Sequence, residues 1–302
     1  MASFEVVAMA LAPWRHLAVF SEYYHRMGAN RVRIFFDGML ENEDHSHNYE
    51  VIECNEQFWT NSGVRRPAIV EDRQRAIYGL AYLTATSDWI LIVDIDEFVF
   101  GDVSLLDAFR LGGNYDCIRF RSAEAVFGEG DDISKEYGAR FFRKPYNKYL
   151  AAILPHFLYP GLGHVFIRGL LGHAIGKQAV RSGIRNISLN IHHAHCEGRL
   201  LREFDISTSS PGTHLLLAHY DAICFDQWSE KWKRRLSAQD TKEMGSKRKK
   251  QFDLYIKAAM THNEEILFRR LYSINNVQLG VLRALNLVID DTHPDLGFYS
   301  GR

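Results

Sequence analysis

A chain of 302 residues with 46% hydrophobic side chains can bury the core of one large domain or two intimate ones. Its formal net charge of -1 excludes nucleic-acid binding by bulk electrostatics. The four cysteines (Cys54, Cys117, Cys196, Cys224) are scattered without a CxxC pair, which excludes a disulfide scaffold and reads as reduced, buried thiols.

In chain order, residues 4–11 read as a first strand, with no basic region or apolar signal core ahead of it. No run reaches about 18 uncharged apolar residues, so no membrane span is expected and the chain reads as cytoplasmic. Residues 14–27 form a helix with apolar Leu17, Val19, Phe20 and Tyr24, stopped at Gly28-Ala29-Asn30. A second strand over 31–36 ends at Asp37-Gly38, a polar loop covers 41–48, and a short strand covers 49–54. A long helix is predicted over 69–86, after Pro67. This alternation predicts an α/β domain with a mostly parallel sheet over the first 115 residues.

The sharpest signal follows at Trp89-Ile90-Leu91-Ile92-Val93-Asp94-Ile95-Asp96-Glu97-Phe98. Five apolar residues in a row read as a strand buried on both faces. In extended backbone Asp94 and Asp96 point to one side and Glu97 to the other. Two same-side carboxylates at the carboxyl end of such a strand suit a hard cation with open positions for phosphate oxygens. The plainer alternative is a strand end with solvated acids, but Phe98-Val99-Phe100 resumes the apolar run.

The middle is less regular. Residues 115–120 read as a strand, 128–132 as a Gly-containing loop with Asp131 and Asp132, and 165–168 and 187–191 as strands of a mixed sheet. Beyond residue 225 the pattern turns helical over 225–236, 247–260 and 263–273, before an irregular tail over 290–302. His219-Tyr220 ends the apolar run 215–218, so His219 is either a metal ligand or a hydrogen-bonded structural histidine. The spacing of His192-His193-Ala194-His195-Cys196 matches no common zinc pattern, which favours histidines that face phosphate. Arg140, Arg143, Lys144 and Lys148, with Lys177 and Arg181 beyond them, could receive phosphate charge. The run Lys247, Arg248, Lys249 and Lys250 reads as a solvated helix face or as a docking patch for anionic lipid or acidic glycan. The chain holds no G-x-G-x-x-G, P-loop or G-x-S-x-G motif.

Taken together, several pieces carry a resemblance: Tyr23-Tyr24-His25-Arg26-Met27-Gly28-Ala29, Val32 to Asp37, Gln74, Trp89 to Phe98, Phe127-Gly128, Gly176-Lys177, His192-His193, and His219-Tyr220 with Phe225, Lys231 and Arg234. In these the chain resembles GT-A type glycosyltransferases of the family 2 superfamily, a bacterial group akin to family 92. Members of that group usually carry Asn-Glu after the first strand, where this chain has Ala10-Leu11-Ala12-Pro13.

The resemblance implies a GT-A fold, with a donor half over 1–115, an acceptor-binding and metal-completing half over 116–235, and a helical extension over 236–302. It implies a nucleotide-diphospho-sugar donor, UDP-sugar first, with Asp37 near base and ribose. Asp94 and Asp96 would hold ribose and a Mn²⁺ or Mg²⁺, and His219 would complete the metal site. Gln74, Lys177 and His193 join the donor-binding set. The implied reaction is an inverting transfer to a hydroxyl of a glycan or glycolipid, for which Asp131, Asp132, Glu97 and Glu124 are candidate bases. The readings weighed against it are a haloacid-dehalogenase-like phosphohydrolase with Asp94 as nucleophile and a non-catalytic glycan-binding relative. Peripheral contact with the inner face of a membrane would run through Lys247 to Lys250.

Overall fold

Apolar strands alternating with amphipathic helices produce an α/β architecture. A central mixed, mostly parallel sheet is flanked by helices, Rossmann-like and of the GT-A type. The structure, a computed structural model, describes residues 2–39, 49–209, 215–237, 245–290 and 294–296. The predicted loop 41–48 and most of the predicted tail lie outside the described residues.

The first elements are β1 (Phe4–Ala10), α1 (Trp14–Arg26), β2 (Arg31–Phe36), β3 (Glu50–Glu53), α2 (Glu56–Ser62), α3 (Val70–Leu83), β4 (Trp89–Ile92), β5 (Glu97–Gly101), α4 (Leu105–Leu111) and β6 (Cys117–Gly128). Next come β7 (Phe141–Arg143), α5 (Leu150–Leu158), β8 (Lys177–Arg181), β9 (Ile187–Leu189), β10 (Ala194–Cys196), β11 (Arg199–Leu200), β12 (Glu203–Asp205), α6 (Ile206–Ser209) and β13 (Leu215–His219). The chain ends with α7 (Phe225–Ser237), α8 (Ser246–Met260), α9 (Glu264–Tyr272), β14 (Ser273–Ile274), α10 (Asn276–Ala284) and β15 (Val288–Ile289). It divides into two compact units, Met1–Arg121 with Ile175–Leu217, and Ser122–Ala174 with Ala218–Arg302.

In the first unit β3, β2, β1 and β4 lie side by side in that order, all parallel. β4 pairs antiparallel with β8, and β8 with residues 117–120 of β6. β1 meets β2 through the single crossover α1, but meets β4 on its other side only after β3 and α3 have intervened. The winding therefore reverses between β1 and β4. In open α/β sheets such a reversal leaves a ligand-accepting crevice at the carboxyl ends of the strands. A buried ion pair, Glu5–Arg33 at 3.1 Å, ties β1 to β2, and Arg33 also donates to the Ala81 carbonyl and the Thr84 hydroxyl. On α1, the Tyr23 and Tyr24 hydroxyls donate to the carbonyls of Val99 (2.6 Å) and Glu97 (2.9 Å), which locks β5 against the helix.

In the second unit residues 124–126 of β6 pair antiparallel with β7, β7 pairs antiparallel with β15, and β14 runs parallel to the end of β6. Its core is aromatic. The Trp228 ring meets Phe268 at 5.3 Å and Tyr255 at 5.4 Å, both near edge-on, and Trp232 stacks on Phe252 at 5.8 Å. Such pairs add about 0.5–1.5 kcal/mol each beyond the area they bury. The expected strand over 165–168 is not formed. Ile167 and Leu170 instead close a two-residue turn through Arg168 (φ 51°) and Gly169 (φ 83°), a left-handed pair that reverses the chain rather than extending it.

Gly176, which precedes β8, adopts φ +80°, and a Cβ there would lie 1.9 Å from the Phe120 carbonyl oxygen. Gly176→Ala is expected to cost at least about 3 kcal/mol, the left-handed penalty plus the clash. Gly63→Ala, at φ +69° with nothing within 4 Å, should cost only about 1–2 kcal/mol. Urea unfolding of the two variants measures the difference, and equal losses would contradict the contact.

Candidate functional site

The apolar run before the acids stops pairing at Ile92, and Val93 still donates to the Val7 carbonyl of β1. The chain then turns. The Glu97 amide donates to the Asp94 carbonyl at 3.0 Å, and the Asp94 amide donates to Glu97 Oε2 at 2.8 Å. The extended backbone expected to put Asp94 and Asp96 on one side is therefore absent: Ile95 and Asp96 form the tip of a turn that both Asp94 and Glu97 close. Turn formation wins because the reciprocal bonds satisfy three backbone groups, the amides of Asp94 and Glu97 and the Asp94 carbonyl, beside buried β5.

Around Asp94 the first unit gathers long-range partners. Lys177, at the start of β8 and buried, donates to Asp94 Oδ2 at 2.7 Å and lies 3.7 Å from Glu97. Burial alone would lower the Lys177 ammonium, but Asp94, then Glu97, outweigh it and hold the group above its ordinary value. From α3, one helical turn apart, Gln74 Nε2 and the Tyr78 hydroxyl approach Asp94 Oδ1 at 3.4 and 3.5 Å. Burial and then Asp94 push the Tyr78 phenol up, so it stays a neutral donor. Half-buried Asp96 makes no hydrogen bond or ion pair with the described residues. Three carboxylates against one ammonium leave the turn with an excess of two negative charges. That charge and a donor set of oxygens fit a hard divalent cation.

Asp37 ends β2, on the other side of β1 from this turn, and both of its oxygens are taken, by Arg66 and Arg73 at 2.9 Å each. Arg73 also donates to the carbonyls of Pro67 and Ala68, so Asp37 anchors the start of α3. The histidine cluster spreads over separate partners. His192 Nδ1 meets the Gly176 carbonyl at 3.0 Å, His193 Nδ1 meets Arg119 at 3.0 Å, and His195 Nδ1 meets Asn190 at 3.4 Å. Burial and then Arg119 hold the His193 imidazole below its ordinary value of 6.5. Among the described residues, no group of three or more His, Cys, Asp or Glu side chains is arranged to hold a metal ion.

The remaining predicted residues lie in the second unit. Asp131 accepts from the Gly128 amide at 2.7 Å and pairs with Arg140, while Asp132 caps Ser134 and faces solvent. Buried Glu124 is committed to Arg143 at 2.5 Å and to the amides of Leu171 and Gly172. His219 packs on Gly172, where a Cβ would come within 2.7 Å of its ring. One buried group escaped the sequence reading. Asp221 accepts from Arg248 (2.7 Å), Lys231 (3.3 Å) and the Tyr272 hydroxyl (2.5 Å). Burial would raise this carboxyl, but Arg248 and Lys231 outweigh it and hold it well below the usual range. Its one sequence signal was position, directly after His219-Tyr220. The basic run is accordingly split, because Arg248 turns inward to Asp221 and Lys247 donates to the His164 carbonyl at 2.6 Å.

No protein-family model matches the chain, and no curated protein does. Among solved structures it is similar to S. aureus TarS 1-349, at 11% identity over 83% of this chain and 69% of that one, with a TM-score of 0.36. It is also similar to glucosyl-3-phosphoglycerate synthase from Mycobacterium tuberculosis, in complex with Mn²⁺, uridine diphosphate and glucosyl-3-phosphoglycerate. There the identity is 13% over 60% of this chain and 57% of that one, with a TM-score of 0.31. HddC from Yersinia pseudotuberculosis matches at 10% identity over 74% and 79% of the two chains, with a TM-score of 0.28. These are distant likenesses of fold.

Two outcomes follow from this geometry. Lys177→Met leaves Asp94 and Glu97 facing each other and should cost about 3–5 kcal/mol in urea unfolding. Adding Asp94→Asn should recover more than about 1 kcal/mol of that loss, and strict additivity would show that the pair does not interact. For His193, the unfolded chain binds more protons than the folded one at pH below 6.5, so this neutral imidazole contributes stability above 6.5 that is lost as pH falls. Between pH 7.5 and 5.5, about one unit to either side, wild type should lose more stability than His193→Gln, whose amide oxygen can still accept from Arg119; equal losses would remove His193 from the acid response.

Proposed function

We propose that this chain is a metal-dependent glycosyltransferase that moves a sugar from a nucleotide-diphospho-sugar to a hydroxyl of a glycan or glycolipid. The observation that carries this reading is the acid turn at the carboxyl end of β4, beside the winding reversal between β1 and β4, with Asp96 unpartnered among the described residues. In this reading the donor site belongs to the first unit, which exceeds the predicted half 1–115 by residues 116–121 and by the returning segment Ile175–Leu217 that supplies Lys177.

Asp94 and Asp96 would hold a Mn²⁺ or Mg²⁺, which when bound supplies Lewis-acid stabilisation of the departing diphosphate. Lys177 balances Asp94 and Glu97 and so offsets their mutual repulsion within the turn. Gln74 and Tyr78 orient the Asp94 carboxylate through its second oxygen. Asp37, held on the next strand but one by two arginines, would lie near the base and ribose at the crevice rim. An inverting transfer also needs a carboxylate to accept the acceptor's proton. Of the candidates Glu97, Asp131 and Asp132, Glu97 belongs to the first unit and is bonded to the Asp94 amide, while Asp131, paired with Arg140, and Asp132, facing solvent, belong to the second.

Thermal unfolding with a set of nucleoside diphosphates and nucleotide sugars, with and without Mn²⁺, tests the proposal. A true donor at roughly a hundred times its Kd adds about 2.7 kcal/mol of stability. The Mn²⁺-dependent part of that gain should vanish in Asp96→Asn. Lack of protection by every nucleotide, or full protection of Asp96→Asn, would overturn the assignment.

A further inference from the structure

We propose that the outer face of α5 is a docking surface for a membrane with anionic headgroups, formed by Tyr149, Ile153 and Phe157 and flanked by lysines. This inference is independent of the proposed sugar transfer. Leu150–Leu158 contains no Asp, Glu, Lys or Arg, and its inner face, Leu154, Pro155 and Leu158, is buried in the second unit. Asn147 Oδ1 starts the helix by accepting from the amides of Tyr149 and Leu150.

The residues four apart on the opposite face are large, apolar and outside. Tyr149 is 73%, Ile153 74% and Phe157 68% exposed. A helix at a protein surface normally turns polar residues outward, and a contiguous aromatic and aliphatic stripe marks an interaction site. No other element among the described residues carries more than one large hydrophobic side chain exposed to this degree.

Charge identifies the partner. From Tyr137 to Cys196 the sequence contains no Asp or Glu. Lys148 lies over the Tyr149 ring at 4.9 Å, placing an ammonium at one end of the stripe. At the other end His156 of α5, His164, Lys247 and Lys250 converge: Lys247 donates to the His164 carbonyl, and after burial it is Lys250, Lys247 and His156 that depress the His164 imidazole. On α8, exposed Lys249 and Lys250 outnumber exposed Asp253. Apolar side chains framed by lysines on flexible stems match the boundary between acyl chains and anionic headgroups. A second copy docked face to face would instead bring these lysines against each other. Among the described residues no helix is long and apolar enough to cross a membrane, so the contact would be peripheral.

Co-sedimentation of the full chain with phosphatidylcholine vesicles, with and without roughly one-third phosphatidylglycerol, tests this surface. Wild type should bind the anionic vesicles at least about tenfold better, and less so as salt rises. Ile153→Ser with Phe157→Ser should lower that binding by about tenfold or more without moving the unfolding midpoint, because both side chains lie outside the core. Lys249→Glu with Lys250→Glu should remove most of the preference for anionic lipid. Phe157→Trp provides a readout that needs no destabilising change, a blue shift of emission on anionic vesicles. Absence of binding, wild-type binding by the serine pair, or an unshifted Phe157→Trp would each overturn the proposal. A wild-type dimer that the serine pair dissolves, without vesicle binding, would assign the face to a second copy instead.

Discussion

The first unit depends on the placement of one ammonium group. Asp94, Asp96 and Glu97 put three carboxylates within four residues at the end of a buried strand, where mutual repulsion is weakly screened. Glu97 answers part of this by bonding the Asp94 backbone, and Lys177 answers a further part by lying between Asp94 and Glu97. That lysine reaches the turn because Gly176, in a left-handed conformation, lets β8 begin hard against the Phe120 carbonyl. A glycine with no room for Cβ, a buried lysine and a tight acid turn are thus one construction. Its outcome is to leave the excess negative charge at Asp96.

The second unit meets its own buried charge in the same way. Asp221 is surrounded by Arg248, Lys231 and Tyr272, and Glu124 by Arg143 and two backbone amides. Removing either carboxylate would strand a cation in a low-dielectric interior, which costs more than the pair contributes when intact. These clusters also redistribute what the surface can offer. Arg248 looks like part of a basic surface run in one dimension, yet it is only partly exposed and its guanidinium is committed to buried Asp221, and the exposed apolar α5 becomes the more distinctive outer feature.

Much of the fold was legible. The first two strands, α1, α3 and the β4 run announce themselves through continuous apolar patterns and through helical spacing bounded by glycine after α1 and proline before α3. The helix α5 was not legible because Leu150–Leu158 is apolar around nearly its whole circumference and contains Pro155, so it shows no 3.6-residue period. By contrast α10 carried a sign that went unread, the Asn275–Gln278 capping box that starts it. Asp94 and Asp96 are visible in the sequence as a local concentration of charge, but their relative direction is not, because alternation of sides holds only while the backbone stays extended.

By itself the sequence determined the α/β class and the location of the acids at the end of the fourth strand, since both follow from patterns spanning a few residues. Tertiary structure decided which charges are spoken for. Lys177 meets Asp94 across 83 positions, Arg248 meets Asp221 across 27, and Leu171 meets Glu124 across 47. Each of these pairs depends on strand register and helix packing, which bring distant segments within 3 Å and which no local composition encodes. The same physics sets Asp96 apart from its two neighbours: a carboxylate's partners are fixed by where the chain returns, and among the described residues none returns to Asp96.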